Sequence, residues 1–160
     1  DQGLRDRGLM TASGAGSSPR AGKGRILIVD DEEGMRDLLK AILEADYQVT
    51  EADSGAALRK ALDREQPDVV LLDIKLPDTN GLGLLRAIKQ RWPATEVIIL
   101  SGAPTGSGAA SWAAEAIKGG AFGFLSKSAE FSFRKVLTCV SSALERRWQA
   151  QGNSTLPLGA

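Results

Sequence analysis

The sequence predicts an α/β fold in which helices cover both faces of one parallel β-sheet. Three observations indicate this class. Five short apolar segments alternate with five segments whose apolar residues recur at helical spacing. Several of the short segments are apolar without interruption, as strands buried on both faces are. The length of 160 residues suits a single domain with tails.

The first strand, first helix and second strand occupy residues 25–52. RILIVD (25–30) is a continuous apolar run and is predicted as a strand covered on both faces. EGMRDLLKAILEAD (33–46) is predicted as a helix because its apolar residues share one face. These residues are Met35, Leu38, Leu39, Ile42 and Leu43. YQVTEA (47–52) is a weaker strand.

The second helix, third strand and third helix follow. Ser54 is the predicted N-cap of GAALRKALDRE (55–65), because its hydroxyl can accept a hydrogen bond from the first helical turn. PDVVLLD (67–73) is predicted as a strand. LGLLRAIKQRW (82–92) is a helix that ends at Pro93, since the residue before a proline disfavours helical geometry.

The fourth strand and fourth helix come next. TEVIILS (95–101) is an apolar strand, and SGAASWAAEAIKGG (107–120) is a helix closed by a glycine pair. This helix has few large apolar residues beyond Trp112 and Ile117, and a glycine-rich loop precedes it. We therefore expect the fourth helix to be mobile.

The last strand is AFGFLS (121–126), and the last helix is FSFRKVLTCVSSALERRWQ (131–149). The apolar face of this helix comprises Phe133, Leu137, Val140, Leu144 and Trp148. Residues 1–24 are rich in Gly, Ser and Ala without apolar periodicity, which predicts a disordered leader. Residues 150–160 read as a linker-like tail, so the predicted single domain spans residues 25–149.

Composition excludes several kinds of chemistry. Lys+Arg and Asp+Glu both total 20, so net charge gives no general attraction to nucleic acid or anionic membranes. No apolar run approaches the roughly 18 residues that span a bilayer, and we expect a cytoplasmic protein. The absence of histidine excludes catalysis by histidine and metal ligation by histidine within this chain. Cys139 is the single cysteine, which excludes an internal disulfide, and we interpret it as core packing.

Polar residues stand where four of the predicted strands end. The first strand ends in Asp30, which Asp31 follows, and the third ends in Asp73. The fourth strand ends in Ser101, and Lys127 follows the fifth. For five strand–helix units the common order is 2-1-3-4-5, the flavodoxin-like doubly wound arrangement. Strands 1, 3, 4 and 5 are then neighbours, so these side chains converge at one edge of the sheet.

This combination of groups indicates phosphoryl transfer. Crowded carboxylates repel one another, and a divalent cation relieves that repulsion. Oxygen ligands select Mg²⁺ or Mn²⁺, and Mg²⁺ needs only one or two carboxylates, which leaves positions for a phosphoryl oxygen. A lysine and a serine hydroxyl can contact further phosphoryl oxygens. Asp73, the central carboxylate, can then accept the phosphoryl group as an acyl phosphate.

Four segments resemble the receiver domain of bacterial two-component response regulators. ILIVDDEEGMRDLL resembles its first strand and acidic pair, and VVLLDIKLPDTNGLGLLRAIK its phosphoacceptor segment. VIILSGAP resembles the fourth strand with its Ser/Thr switch, and GAFGFLSKS the fifth strand with its lysine. The resemblance covers about residues 25–148 and implies a signalling switch that catalyses only its own phosphorylation and dephosphorylation. The end of the last helix, ALERRWQAQ, resembles the boundary after receivers in enhancer-binding transcriptional activators.

The resemblance implies a role for each matching residue near the acidic pair. Asp73 corresponds to the phosphoacceptor. The magnesium site is implied to comprise Asp30, Asp31, Asp73 and the backbone carbonyl of Lys75. The phosphoryl donor is implied to be a phosphohistidine on a partner sensor histidine kinase.

The resemblance also implies how the switch acts. Ser101 and Lys127 would contact the phosphoryl group, and Phe124 would swing inward when Ser101 does. The face of the fourth helix, fifth strand and fifth helix would then contact an output protein or domain, or form a homodimer. Contact with nucleic acid or a membrane by this domain itself is not expected.

Some features depart from the family pattern and leave alternatives open. Ser128 follows the lysine where the family usually has proline, and we expect a trans Lys127–Ser128 bond because a cis bond would cost roughly 2.5–4 kcal/mol. Ser128 and the glycine-rich loop are arguments for a pseudo-receiver that only binds partners, whereas the intact set of Asp31, Asp73 and Lys127 is an argument against it. A haloacid-dehalogenase-like phosphatase is the other alternative, but that class requires Asp-x-Asp where this sequence has Asp73-Ile74-Lys75.

Overall fold

The computed structural model describes residues 24–102, 107–127 and 131–150. Strands and helices alternate through these ranges, and the type of each predicted element is confirmed. In chain order the elements are β1 (Arg25–Val29), α1 (Glu33–Leu43), β2 (Gln48–Ala52), α2 (Gly55–Arg64), β3 (Val69–Asp73), α3 (Gly81–Arg91), β4 (Glu96–Ser101), α4 (Ser107–Lys118), β5 (Gly123–Ser126) and α5 (Phe133–Ala150).

The five strands form one parallel sheet in the order β2-β1-β3-β4-β5, which confirms the predicted topology. In the register, Val29 of β1 lies opposite Leu72 of β3, and Asp73 lies opposite Leu100 of β4. Because parallel strands run in the same direction, their carboxyl ends share one edge of the sheet. We call this the carboxyl edge, and we call the opposite edge the amino edge.

The strands read as continuous apolar runs because both faces of the sheet are covered. On β1, Leu27 and Val29 belong to one buried cluster, whereas Ile26 and Ile28 belong to another. The first cluster includes buried residues of α2, α3 and α4, and the second includes buried residues of α1 and α5. Successive strand residues point to opposite faces, so an uninterrupted apolar strand satisfies both clusters at once.

The first helix ends earlier than the sequence predicts. The predicted helix continues to Asp46, but α1 ends at Leu43, whose carbonyl accepts hydrogen bonds from the N–H groups of Asp46 and Tyr47. These bonds turn the chain toward β2. Leu38, a predicted member of the apolar face, is 52% exposed. One helical step of about 100° separates it from the fully buried Leu39, so it faces away from the sheet.

The buried residues of the last helix overlap only in part with the predicted apolar face. Val140 and Leu144 are buried as predicted, and Val136 is buried as well. Arg147 is also buried, and its charge is compensated by Asp68 at the amino edge, whose Oδ1 lies 3.0 Å from its Nε. The partly buried members of the predicted face are Phe133, Leu137 and Trp148.

Some of the sequence predictions fall outside the described residues. These are the leader up to residue 23, most of the glycine-rich loop, the Lys127–Ser128 bond and the tail after residue 150. Gly24, which the sequence assigns to the leader, is buried, and its carbonyl accepts a 2.8 Å hydrogen bond from the N–H of Gln48. Among the described helices, none combines the length and the apolar character needed to cross a membrane.

Candidate functional site

Three aspartate carboxylates meet at the carboxyl edge, as predicted. Asp30 directly follows β1, and its N–H donates to the carbonyl of Ala52 at the end of β2 (3.1 Å). Asp73 is the last residue of β3. One carboxylate oxygen from each of Asp30, Asp31 and Asp73 lies within 4.8 Å of the other two. Asp30 and Asp73 are buried whereas Asp31 is exposed, so the group opens to solvent on the Asp31 side.

The predicted lysine reaches into this group of carboxylates. The Nζ atom of Lys127 lies 2.5 Å from Oδ2 of Asp30 and 3.4 Å from Oδ2 of Asp73. Its distance to Oε1 of Glu32 is 3.9 Å. The N–H of Lys127 donates to the carbonyl of Ser101 (2.7 Å), which continues the pairing of β4 and β5 past the last strand residue. Strand pairing thus positions the ammonium group between the two buried carboxylates.

Burial and charge act in opposite directions on these groups. Burial raises the pKa of Asp73, the charge of Lys127 opposes that rise, and the charge of Asp30 adds to it, leaving the pKa above its ordinary value. Burial alone would lower the pKa of Lys127. The hydrogen bond that Lys127 donates to Asp30 and the charges of Asp30, Asp73 and Glu32 together outweigh burial, so the pKa of Lys127 is raised. Lys127 is therefore a stable cation at neutral pH, and it favours the ionised form of Asp73.

Ser101 lies on β4, the neighbour of β3, and Phe124 lies on β5, one strand further from the acidic group. Ser101 ends β4, is 1% exposed and lies opposite Ser126 in the sheet register. It is one residue beyond Leu100, the register partner of Asp73, and so stands at the carboxyl edge beside the central carboxylate. Phe124 lies two residues before Ser126 and packs, partly buried, against the first cluster.

The loop between β3 and α3 folds tightly around Asp73. The N–H of Lys75 faces Oδ1 of Asp73 at 3.4 Å, and Lys75 forms an antiparallel bridge with Asn80. The N–H of Gly81 donates to the carbonyl of Ile74 (2.6 Å). A Cβ atom at position 81 would collide with the carbonyl oxygen of Asp73, so glycine is required for this close approach. The loop thereby holds the backbone of Lys75 beside the carboxylate.

Two further residues, which local sequence patterns do not reveal, shape the carboxyl edge. Nη1 of Arg36 donates to the carbonyl of Asp30 at 2.7 Å. The carboxylate of Asp78 accepts hydrogen bonds from the N–H groups of Gly55 (2.8 Å) and Ala56 (3.0 Å) at the start of α2. A charge in an amphipathic helix or in a turn usually indicates a solvated residue. Only the assembled sheet order shows which backbone groups these two side chains reach.

The donor chemistry of the acidic group fits a hard divalent cation. Carboxylate oxygens are the ligands that Mg²⁺ and Mn²⁺ prefer. Oxygens of three different side chains are close enough to share one ion. The exposed carboxylate of Asp31 gives such an ion a route from solvent. The residues present therefore match the metal that the sequence predicts.

Comparison with known proteins identifies what this arrangement is similar to. The family described as response regulator receiver domain matches residues 26–138. The chain is 35% identical over 134 residues to the DNA-binding transcriptional regulator NtrC of Proteus hauseri, a match that covers 82% of this chain and 27% of that protein. It is 36% identical over 121 residues to the chemotaxis protein CheY of Listeria monocytogenes, covering 74% of this chain and 97% of that protein. The chain thus spans only about a quarter of the length of the NtrC protein.

Solved structures agree with this match. The beryllofluoride-activated NtrC4 receiver domain dimer, determined in solution, has a TM-score of 0.69 and is 33% identical in sequence. The match covers 77% of this chain and 98% of that chain. Sequence and fold therefore point to the same family.

Proposed function

Because the chain belongs to the response regulator receiver domains, we propose that it is a phosphorylation-activated switch that accepts a phosphoryl group on Asp73. The observation that carries this proposal is the convergence of Asp30, Asp31, Asp73 and Lys127 at the carboxyl edge. Receiver domains are signalling switches rather than classical enzymes, and the chemistry required of this site is its own phosphorylation and dephosphorylation.

The proposed donor is a phosphohistidine on a partner sensor histidine kinase. An oxygen of Asp73 attacks the phosphorus, and a P–O bond forms as the P–N bond breaks. The electron pair of the P–N bond stays on the ring nitrogen, which takes up a proton from solvent. Nζ of Lys127, 3.4 Å from Oδ2 of Asp73, neutralises one phosphoryl oxygen, and the hydroxyl of Ser101 donates to another. Such transfer depends mainly on positioning and charge neutralisation, so it requires no histidine in this chain.

The proposed cofactor is Mg²⁺ or Mn²⁺. The residues that would hold it are the carboxylates of Asp30, Asp31 and Asp73 and the backbone carbonyl of Lys75. When bound, the cation neutralises charge on the phosphoryl oxygens. Lys127 contacts both buried carboxylates, so it supplies positive charge beside them that does not depend on the cation.

The output of the switch is proposed to be the face formed by α4, β5 and α5. Ser101 would move toward the phosphoryl group, and Phe124 would follow it inward. Phe124 packs against the first cluster together with Trp112 of α4, so a change in its packing would reach that helix. This face would contact an output protein or domain, or a second copy of the chain. The activated receiver of NtrC4 was solved as a dimer, which supports the second of these roles.

Residues 25–149 are the proposed receiver domain, with a leader before it and a linker-like tail after it. A cytoplasmic location, without nucleic-acid or membrane contact by this domain itself, completes the proposal. The similar NtrC protein is named a DNA-binding transcriptional regulator, and the match covers 27% of it. Control of such an output by this chain is therefore part of the proposal.

Phosphorylation by a small-molecule donor tests this function. The protein is incubated with Mg²⁺ and acetyl phosphate, and its intact mass is measured. We expect the gain of one phosphoryl group, which chelation of the metal or the Asp73→Asn substitution abolishes. The matched control Asp37→Asn removes an exposed carboxylate from α1 and should keep the gain.

Other outcomes would support the alternatives. A folded wild-type protein that gains no phosphoryl group would favour the pseudo-receiver, which binds partners without phosphoryl turnover. Release of phosphate from soluble phosphate esters would favour the phosphatase. A gain that survives Asp73→Asn would place the acceptor at another residue.

A further inference from the structure

Arg36 links the pair Asp30 and Asp31 to β2, the strand that lies beside β1. It lies in the first half of α1, and its Nη1 donates to the carbonyl of Asp30 at 2.7 Å. Its Nε donates to Oε1 of Glu51 on β2 at 3.1 Å. Nζ of Lys40 lies 3.7 Å from the other oxygen of Glu51. The planar guanidinium thus contacts two fixed acceptors at once, which a lysine ammonium on a flexible stem reproduces poorly.

The carbonyl that Arg36 holds belongs to the peptide joining the two consecutive aspartates. The N–H of Asp30 is held by the carbonyl of Ala52 on β2, and the carbonyl of Asp30 is held by Arg36. The backbone of Asp30 is therefore fixed on both sides. Asp31 is exposed, so the direction of its carboxylate depends strongly on the orientation of this peptide.

We infer that Arg36 is a positioning residue for the divalent-cation site, acting through the Asp30–Asp31 peptide and held in place by Glu51. This inference rests on the proposed function, because that proposal assigns the cation to Asp30, Asp31 and Asp73. Arg36 contacts the backbone carbonyl of Asp30, which is not one of the proposed ligands. Arg36 contributes to metal binding by fixing the positions of the ligand side chains.

Charge and positioning predict opposite effects when Arg36 is replaced. A cation on α1 repels a divalent ion, so the loss of its charge alone would strengthen metal binding. The loss of a group that orients metal ligands typically weakens metal binding 10–100-fold. The sign of the change in affinity therefore separates the two roles.

The experiment is a calorimetric titration of the unphosphorylated full chain with Mg²⁺, which measures the dissociation constant of the ion. We expect Arg36→Met to raise the dissociation constant about 10-fold or more. Arg36→Lys should raise it by a smaller factor, because an ammonium can still contact one of the two acceptors. Lys40→Met is the matched control, because it removes a cation that contacts the same Glu51 and touches neither aspartate. Its dissociation constant should be unchanged or slightly lower.

Folding is measured separately, by urea unfolding of each variant without metal. If Arg36→Met does not fold, Arg36→Lys carries the test, because it keeps the positive charge and any rise in its dissociation constant then reports positioning alone. Unchanged or tighter binding in the folded variant, or an equal loss in Lys40→Met, would overturn the inference. Failure of the wild-type protein to bind Mg²⁺ would instead overturn the metal site of the proposed function and this inference with it.

Discussion

At the scale of single residues, Asp73 is held in an environment that opposes its own charge. Its carboxylate is almost fully buried at the end of β3, and a second buried carboxylate lies beside it. Lys127 compensates only in part, because it lies closer to Asp30 (2.5 Å) than to Asp73 (3.4 Å). The pKa of Asp73 therefore stays above its ordinary value. Ionisation of Asp73 in the folded protein therefore lowers its stability.

We predict that Asp73→Asn stabilises the fold at neutral pH. A carboxyl group whose pKa is raised by folding binds more protons in the folded than in the unfolded state, so stability falls as pH rises above the ordinary value of 3.8. The asparagine variant lacks this loss. Urea unfolding in the presence of a metal chelator should show the variant to be more stable at pH 7, and the difference should shrink as pH falls below 3.8.

The exposed Asp37 provides the comparison for this prediction. Asp37→Asn should change the free energy of unfolding by only about 0.5 kcal/mol or less, because surface substitutions usually do little. An Asp73→Asn variant that is less stable than wild type at neutral pH would contradict the prediction.

The second prediction for a single residue concerns the substitution Gly81→Ala. Besides the collision with Asp73, a Cβ at this position would lie 2.7 Å from the Cα atom of Ile74. Gly81→Ala should therefore lower the free energy of unfolding by about 1–3 kcal/mol, the usual cost of overpacking a rigid site. Because the clash displaces the peptide after Asp73, phosphorylation by acetyl phosphate should also slow.

Gly83, two residues along α3, is the matched control. It is exposed, and a Cβ there would meet nothing within 4 Å. Gly83→Ala should raise the free energy of unfolding by roughly 0.5–1 kcal/mol through helix propensity, with phosphorylation unchanged. Equal effects of the two substitutions in denaturant titrations would show that the loop does not constrain Gly81.

At the scale of elements, the start of α2 is held from two directions. The hydroxyl of Ser54 accepts from the N–H of Ala57 at 3.1 Å, which confirms the predicted N-cap. Asp78, in the loop that follows β3, accepts from Gly55 and Ala56. The first turn of α2 is thereby attached to the segment that also carries Lys75, so a displacement of the phosphoacceptor loop would be felt at this helix.

We predict that Asp78→Ala exposes the first amides of α2. Amide hydrogen exchange at Gly55 and Ala56 should accelerate, while exchange at Ala57 should stay close to wild type because Ser54 still caps it. The hydrogen bonds from Gly55 and Ala56 lower the pKa of Asp78. The stability they contribute is therefore present above the ordinary value of 3.8 and is lost as pH falls through the lowered pKa.

Asp53→Ala is the control for the helix start, because it removes a neighbouring exposed carboxylate without removing Asp78. It should leave the exchange of Gly55 and Ala56 amides unchanged. If both variants accelerate these amides equally, general electrostatics near the helix terminus would explain the effect better than hydrogen bonding does.

At the scale of the whole molecule, topology was predictable and several long-range partnerships were not. The uninterrupted apolar runs before Asp30 and Asp73 contain enough information to predict interior strands, and the strand order then brings Lys127 to both aspartates. The ion pair of Arg147 with Asp68 joins residues 79 positions apart. No local pattern distinguishes this buried arginine from the solvated charges around it. Its burial is visible only when α5 has been placed on the sheet.

The same limit applies to the contact of Arg36 with the Asp30 carbonyl. Residue type and spacing predict which functional groups reach the carboxyl edge, since strand ends determine that. They do not predict which side chains hold the backbone there, because those contacts depend on helix placement. The candidate reacting groups could thus be predicted from the sequence, whereas the residues that orient them could not.

The end of α5 is attached to the amino edge of the sheet by the ion pair between Arg147 and Asp68. The final prediction concerns the loss of this ion pair. Arg147 has a side chain that is 8% exposed, and that of its partner Asp68 is 17% exposed. Oδ2 of Asp68 also accepts from the N–H of Arg25 at the start of β1 (2.9 Å). Arg147→Met would leave this carboxylate without its main counter-charge. Removing one partner of a buried ion pair typically costs about 3–5 kcal/mol, and we expect a loss near the lower end in urea unfolding.

Arg146, the exposed neighbour of Arg147, provides the comparison for this prediction. Its side chain is 65% exposed, and its partner Glu96 also lies 3.8 Å from Nζ of Lys89. Arg146→Met should therefore cost about 1 kcal/mol or less. Hydrogen exchange adds a local measurement, because loss of the Arg147 pair should release the amides of the last turns of α5 before those of its buried middle. Equal stability losses in the two arginine variants would show that the pair with Asp68 does not anchor the helix.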